Sequence, residues 1–387
     1  MAFSPVEGLI SAACHVAGVP FRLFSRNHEL IPPERLLIIK PCCIGDVLMA
    51  TPVAAALARA FPGIRIDWAV SSWARPLVMS NTRLGKIINT GQVGAGSHGW
   101  GALRKLVRQI EVEHYDTCLV LDRSPILALI PLMAGVPQRI GLDSRGRGFP
   151  HHLRVPVKGL RHEAEIYLDV VRAMGVGTQG VRTEFHPTEQ DRAAADQLLT
   201  EQLKWEPGEP LFVLHPAGGR NPGMKMMGKR WPPERYAVVA NRLLKEYGGK
   251  AILLGGPQDS VMLDAVNGLI PFETLALAGG IEWGTWGAIL ERATLCIGND
   301  TGATHLAVAV GCKTVFIFGP SDPRRYGPYA RPGRAAALWH PIPGMEGGVN
   351  EGPPRDWSWD EGVTADEAWH AAQALLDDGE RTREEEE

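Results

Sequence analysis

The 387-residue sequence has no run of 18 apolar residues. The longest candidate, 125–137, is too short and contains Pro131, so no membrane-spanning helix is expected. The first residues place no basic segment ahead of apolar ones, and no cleavable export signal is read there. Charge of one sign is not in excess. Forty Lys and Arg against 43 Asp and Glu give a formal net charge of −3, which argues against a nucleic-acid protein held mainly by electrostatics. Cysteine is sparse, and Cys14, Cys42, Cys43, Cys118, Cys296 and Cys312 fall at no metal-ligand spacing. Their mostly apolar surroundings predict reduced core thiols of a cytosolic protein. The adjacent Cys42 and Cys43 are the exception, in a loop where one thiol would line a cleft. No GxxxxGK[ST] sequence occurs, so this is not a nucleoside-triphosphate P-loop protein. Residues 94–99 formally satisfy GxGxxG, but in a polar loop beyond a weak strand rather than at the start of a βαβ unit. They read as a loop, which disfavours a nicotinamide oxidoreductase.

What the chain does have is alternation of strands and helices, at a length that predicts two domains. Residues 36–39 read as a buried strand and 64–70 as a second, with a loop and helix between them that stops at Pro62-Gly63. Asp46, beside Gly45, falls at the joint of the first strand and its helix. This is the functional edge of a parallel sheet, and it is also where a first-turn acid caps a helix. A helix at 102–110 and a strand at 117–121 follow, ending on Asp122-Arg123-Ser124. Residues 139–162 are rich in Gly, Arg and His, as suits either an anionic acceptor or a solvated loop. A helix at 165–174, an extended bridge at 175–187 and a helix at 189–203 lead to the second half. Residues 7–24 are apolar enough either to pack on the parent domain or to seat it at a membrane face.

The second half repeats the pattern. A strand at 211–214 delivers His215 and Gly218, and a basic loop carries Lys225, Lys229 and Arg230 to a helix at 235–245. A strand at 251–254 ends on Gly255-Gly256-Pro257 and turns toward Asp259. Residues 296–328 then form a strand, helix, strand unit whose joint holds Asp300, Thr301, Gly302 and, one turn on, His305. Positive charge on a loop, glycine turns and a helix amino end are the ingredients of a diphosphate site.

GDVLMATP at 45–52, KRWPPERY at 229–236, LLGGPQD at 253–259, NDTGATHLAVAVG from 299 and FGPSDP up to 323 run in colinear order. With HYDTCLVLD at 114–122 and RIG at 139–141, they resemble the heptosyltransferases of glycosyltransferase family 9, over residues 35–328. The resemblance implies an α/β protein with two facing Rossmann-like domains, the GT-B type. It implies an inverting transferase that moves heptose from its nucleoside diphosphate, typically ADP-heptose, to a hydroxyl of the lipopolysaccharide inner core. The protein would be cytoplasmic, peripheral at the inner membrane's cytoplasmic face. It also implies Asp46 as base, Lys229 on the phosphates, and Asp300, Thr301 and Gly302 on the donor. Asp259 is the nearest acid to the family's nucleoside contact, where glutamate is usual.

The domains expected are an extension at 1–34, an acceptor domain at 35–187, a helix and linker at 188–210 and a donor domain at 211–345. A C-terminal segment at 346–379 and an acidic, disordered tail at 380–387 complete the chain. By the family's pattern, the helix within 362–377, capped near Thr364, would strap back to the first domain. Packing on the second domain is the alternative. Gly45, His215, Gly218, Gly255, Gly256, Asp259, Asp300, Thr301, Gly302 and His305 are the expected substrate contacts, with Asp46 and Lys229 catalytic. No metal or other cofactor and a monomeric state are expected. The rival readings are a sugar-nucleotide epimerase or hydrolase and a non-catalytic sugar-nucleotide binding protein.

Overall fold

A computed structural model describes residues 5–23, 30–96, 99–221, 224–347 and 357–384. The chain divides into two units with the boundary between Val181 and Arg182.

The first unit holds β1 (Arg35–Ile39), β2 (Arg65–Val70), β3 (Leu84–Asn89), β4 (Thr117–Val120), β5 (Gln138–Asp143) and β6 (Leu153–Pro156), in the order β3-β2-β1-β4-β5-β6. All neighbours are parallel. Covering a parallel sheet on both faces requires continuous apolar runs in its centre, and Leu36 to Ile39 and Cys118 to Val120 are fully buried. Toward the edges the pattern weakens. β3 alternates only partly and β6 contributes a single buried residue, so the sequence reads one faintly and the other as loop. The basic stretch 139–162 thus supplies two strands, and its cations serve the fold. Arg139 donates to the carbonyls of Val136 (2.8 Å) and Pro150 (3.1 Å), while Arg145 and Arg147 lie 3.3 and 3.5 Å from Glu7. That carboxylate belongs to the helix Pro5–Ala17, which packs on this unit through buried Cys14 and through Ser11, which donates to the Arg145 carbonyl. Residues 91–96 form turns without a following strand, as expected of a loop, and 97–98 lie outside the described residues.

The second unit repeats the topology. Its strands are β7 (Leu211–His215), the short antiparallel pair β8 (Arg220–Asn221) and β9 (Met224–Lys225), β10 (Lys250–Gly255), β11 (Thr274–Ala278), β12 (Leu295–Asn299), β13 (Thr314–Phe318) and β14 (Ala335–Trp339). The main sheet runs β11-β10-β7-β12-β13-β14, all parallel. Both sheets therefore have the Rossmann strand order, with reversal points at β1/β4 and β7/β12, and ligands bind outside the carboxyl ends of such strands.

The helix expected at 189–203 forms at Glu189–Gln202. Arg192 pairs with Glu291 and Arg292 with Asp196, fastening it to the helix Trp283–Arg292 of the second unit. The helix Ala365–Glu384 has the expected cap, since Thr364 and Glu367 exchange side-chain to backbone hydrogen bonds. Its apolar face, Ala368, Trp369, Ala372, Leu375 and Leu376, lies in the second unit's core with Val239, Leu243 and Ile317. That face is a core face of its own unit. The helix also continues to Glu384 through most of the stretch expected to be disordered, and 385–387 lie outside the described residues.

Candidate active site

In the second unit the site grows from the two central strands. β12 ends on Asn299, fully buried, whose amide donates to the carbonyls of Pro216 and Ala217 and whose oxygen accepts from the Trp231 N–H and the Tyr236 hydroxyl, each at 3.0 Å. One side chain with all four of its hydrogen bonds made ties the loop after β7 to the segment leaving the basic loop. The next residue, Asp300, is buried and bonded to Lys229, with Nζ 2.6 Å from Oδ2, while His305 Nε2 lies 3.5 Å from Oδ1. Burial opposes the charge of Asp300, but Lys229 and His305 outweigh it and hold the carboxyl well below its usual range. Thr301 precedes the helix Gly302–Ala309, whose first N–H groups have no intrahelical acceptors and point where an anion is favoured.

The loop after β7 lies against this helix start. Gly218 has φ +96°, and a Cβ built there would stand 2.3 Å from Thr301 Cγ2 and 3.4 Å from His215 Nε2. His215 is buried and its Nδ1 lies 2.7 Å from the Leu254 carbonyl, which makes Nδ1 the protonated nitrogen. Burial pushes its pKa down, so the ring is neutral with Nε2 as an acceptor. The turn after β10 is held by Asp259. Its Oδ2 accepts from the Gly256 N–H at 3.0 Å, and its Oδ1 pairs with Arg230, which also donates to the Gly218 carbonyl. Gly255 is packed so tightly that a Cβ would meet Leu263 at 2.7 Å. Asp259 therefore anchors Arg230 and the glycine turn, with both oxygens engaged inside the protein.

In the first unit a second polar cluster stands at β1 and β4. Asp46, in the first turn of the helix Ile44–Ala60, accepts at Oδ2 from the Cys43 N–H (3.3 Å) and at Oδ1 from the Tyr167 hydroxyl (3.1 Å). It is a cap, as the simpler reading held, and it is also the partly exposed end of a buried network. Lys40, at the end of β1, sits 3.3 Å from Asp122 and over the Tyr167 ring. Burial opposes its charge, yet Asp46, Asp122 and Glu163 overcome this and raise its pKa. Arg123 Nη2 lies 3.0 Å from each oxygen of buried Glu163. Cys42 and Cys43, expected as thiols, are bonded to one another as neighbours in the chain, while Cys14, Cys118, Cys296 and Cys312 are buried and free.

A sequence profile described as glycosyltransferase family 9 (heptosyltransferase) matches residues 103–341. The chain belongs to this family. It is a glycosyltransferase, 28% identical over 322 residues to lipopolysaccharide heptosyltransferase 2 of Escherichia coli K12, covering 79% of this chain and 88% of that one. It is 24% identical over 310 residues to lipopolysaccharide heptosyltransferase 1 of Pseudomonas aeruginosa, covering 77% and 82%. Among solved structures, a family 9 glycosyltransferase from Veillonella parvula superposes with a TM-score of 0.75 at 23% identity, over 91% of this chain and all of that one. E. coli ADP-heptose lps heptosyltransferase II gives 0.69 at 23% identity, over 89% and 99%. The fold is thus the GT-B type, with two Rossmann-like domains.

Within this glycosyltransferase the structure brings Lys229, Asp300 and His305 together, sets Gly218 against Thr301, and places His215 beside them. Sequence reasoning missed Asn299, Lys40 and Tyr167 as site-builders. The available signals were a polar residue closing the buried strand LCIGN, a charge closing RLLII, and a tyrosine on the apolar face of EAEIYLDVVR. Gly218 gives the first expected outcome. Alanine there must adopt a left-handed backbone and displace Thr301, so Gly218→Ala should lower stability by about 1–3 kcal/mol. Donor affinity should fall more than tenfold, read by a melting curve and donor titration.

Proposed function

We propose that this glycosyltransferase moves heptose from ADP-heptose to a hydroxyl of the lipopolysaccharide inner core with inversion at the anomeric carbon. The observation that carries the reading is the Lys229–Asp300–His305 cluster at the amino end of the helix Gly302–Ala309, at the β7/β12 reversal point. Relatives of this chain are lipopolysaccharide heptosyltransferases, and this supports the choice of sugar and acceptor.

The chemistry assigns one task to each cluster. Asp46 takes the proton of the acceptor hydroxyl as its oxygen bonds to the anomeric carbon. The bond from that carbon to the phosphate oxygen breaks, and ADP leaves with the electron pair. Lys229 and the N–H groups of Gly302 to Thr304 stabilise charge where it develops. Gly45, next to Asp46, lets the acceptor approach the helix backbone, while Gly218, Gly255 and Gly256 do so for the donor. His215 Nε2 and Thr301 offer further polar contacts, and Asp259 acts through Arg230. A single displacement with a single base inverts the centre.

We also propose a monomeric, cytoplasmic enzyme that uses no metal ion, because lysine and helix N–H groups already offer the positive charge the diphosphate requires. The test supplies ADP-heptose and a core acceptor lacking heptose to the full chain, with and without a chelator. Mass analysis should show one added heptose, and NMR of the product an anomeric configuration opposite to the donor's, at a rate the chelator leaves unchanged. ADP release without acceptor, or no product, would overturn the transferase reading. Activity restored only by magnesium or manganese would overturn metal independence.

A further inference from the structure

The loop between β1 and the helix Ile44–Ala60 carries chemistry that sugar transfer does not use. Cys14, Cys118, Cys296 and Cys312 are buried free thiols, and burial pushes the pKa of each up, which leaves them inert. Cys42 and Cys43 differ. They are bonded to one another beside Asp46, with Cys42 8% exposed and Cys43 more open. Cys43 is also the residue that precedes the helix, and its N–H donates to Asp46 Oδ2.

A disulfide between chain neighbours closes a small ring around the one peptide group that joins them. That group contains the Cys43 N–H, so closing the ring also fixes the direction of the donor on Asp46. The chain on either side is pinned. The Pro41 carbonyl accepts from the Ser71 N–H at 3.1 Å, the Pro41 ring packs on Gly94, where a Cβ would stand 2.6 Å from Cγ, and Ile44 is buried. Between these fixed points the 42–43 peptide group is what turns when the sulfur bond opens. Asp46 then keeps the Tyr167 hydroxyl on Oδ1 and loses the donor on Oδ2.

We propose that Cys42 and Cys43 form a thiol–disulfide exchange site for small thiols and their disulfides, and that its closed ring restrains Asp46 and slows transfer. This rests on the reading of Asp46 as base. A carboxylate relieved of a donor accepts a proton more readily, so the dithiol is the faster form. In the closing direction the Cys43 thiolate attacks one sulfur of a small disulfide and releases a thiolate. The Cys42 thiolate then attacks Sγ of Cys43 and releases the second. Each leaving thiolate takes up a proton that a cysteine gave up, so one dithiol and one disulfide yield the ring and two thiols. Where thiols are kept reduced, such a pair closes transiently under oxidant.

The full chain is equilibrated with glutathione or with glutathione disulfide, quenched in acid, unfolded, alkylated and read by peptide mass. Cys42 and Cys43 should label after the thiol and appear as the closed pair after the disulfide, while the other four cysteines label in both. This trapping needs no substrate, so its outcome is separate from that of the transferase reading. In transfer assays kcat should rise about tenfold on reduction and return on reoxidation. The KM for donor should not change, because Lys229 and Asp300 belong to the other unit. The variant C42S/C43S should run at the reduced parent's rate in both buffers, whereas a merely structural pair would lower the melting point without this pattern of rates. A pair that never closes, or a serine variant that still responds to glutathione, would overturn the proposal. So would equal kcat in the two forms, or a slower dithiol.

Discussion

Asparagine at position 46 is expected to lower transfer about 10²- to 10⁴-fold while leaving a folded protein that binds donor. The substitution keeps the volume and one acceptor oxygen but removes the proton-accepting charge. Asp46 also has structural work, since its two oxygens accept from the Cys43 N–H and the Tyr167 hydroxyl. An amide can satisfy only one of these donors with its oxygen, so a loss of about 1 kcal/mol accompanies the change. Helix capping by itself predicts nothing further, because asparagine caps well. The two roles therefore separate in one set of measurements: transfer at saturating ADP-heptose and acceptor, donor binding, and a melting curve. A slightly less stable variant with near-parental turnover would leave Asp46 as a cap and direct attention to Asp122 or His215. Tyr167→Phe refines the point, since it frees Oδ1 without altering charge. It should change the pH dependence of transfer rather than abolish it.

The alternation of strands and helices was legible because central strands of a parallel sheet are apolar without a break, as in RLLII, LFVLH and TVFIF. The edges were not. β3, β6, β11 and β14 have partly exposed residues and lose that signal, and the basic stretch 139–162 suited an anionic acceptor and a solvated loop equally, whereas its arginines bind backbone carbonyls and Glu7. In the site, residues at strand ends beside glycines were found, since position along the chain reveals the carboxyl edge. The helix Glu163–Arg172 brings Tyr167 to Asp46 across 121 residues of sequence, and no local pattern announces such a pair. Asp259 shows the converse. A motif located it, but only its partners Arg230 and Gly256 reveal that it organises the turn. The helix after Thr364 had its cap and its apolar face correctly read, while the surface that receives the face is a tertiary fact.

Lys229 carries the second large effect, and its ion pair changes the experiment needed. With side chains only 13% and 6% exposed, Lys229 and Asp300 neutralise one another, and Lys229→Met leaves a buried carboxylate facing only His305. Breaking such a pair by removing one partner costs about 3–5 kcal/mol, so loss of donor use in the single variant could reflect a damaged fold. Replacing both partners, Lys229→Met with Asp300→Asn, removes the uncompensated charge and should restore most of that stability. If the lysine binds the diphosphate, kcat/KM for ADP-heptose should stay at least about 10²-fold low in the double variant despite its restored melting point. Recovery of both would make the pair structural only. The acid limb supplies an independent reading. The folded pKa of Asp300 lies below its unfolded value near 4, so its contribution is fully present above about pH 4 and is lost as pH falls through the folded value. Parent protein should therefore lose stability more steeply below pH 4 than the double variant, measured by urea unfolding at a series of pH values. Parallel profiles would mean that Asp300 is not held ionised by Lys229, and the phosphate role of the lysine would lose the pairing that places it at the helix start.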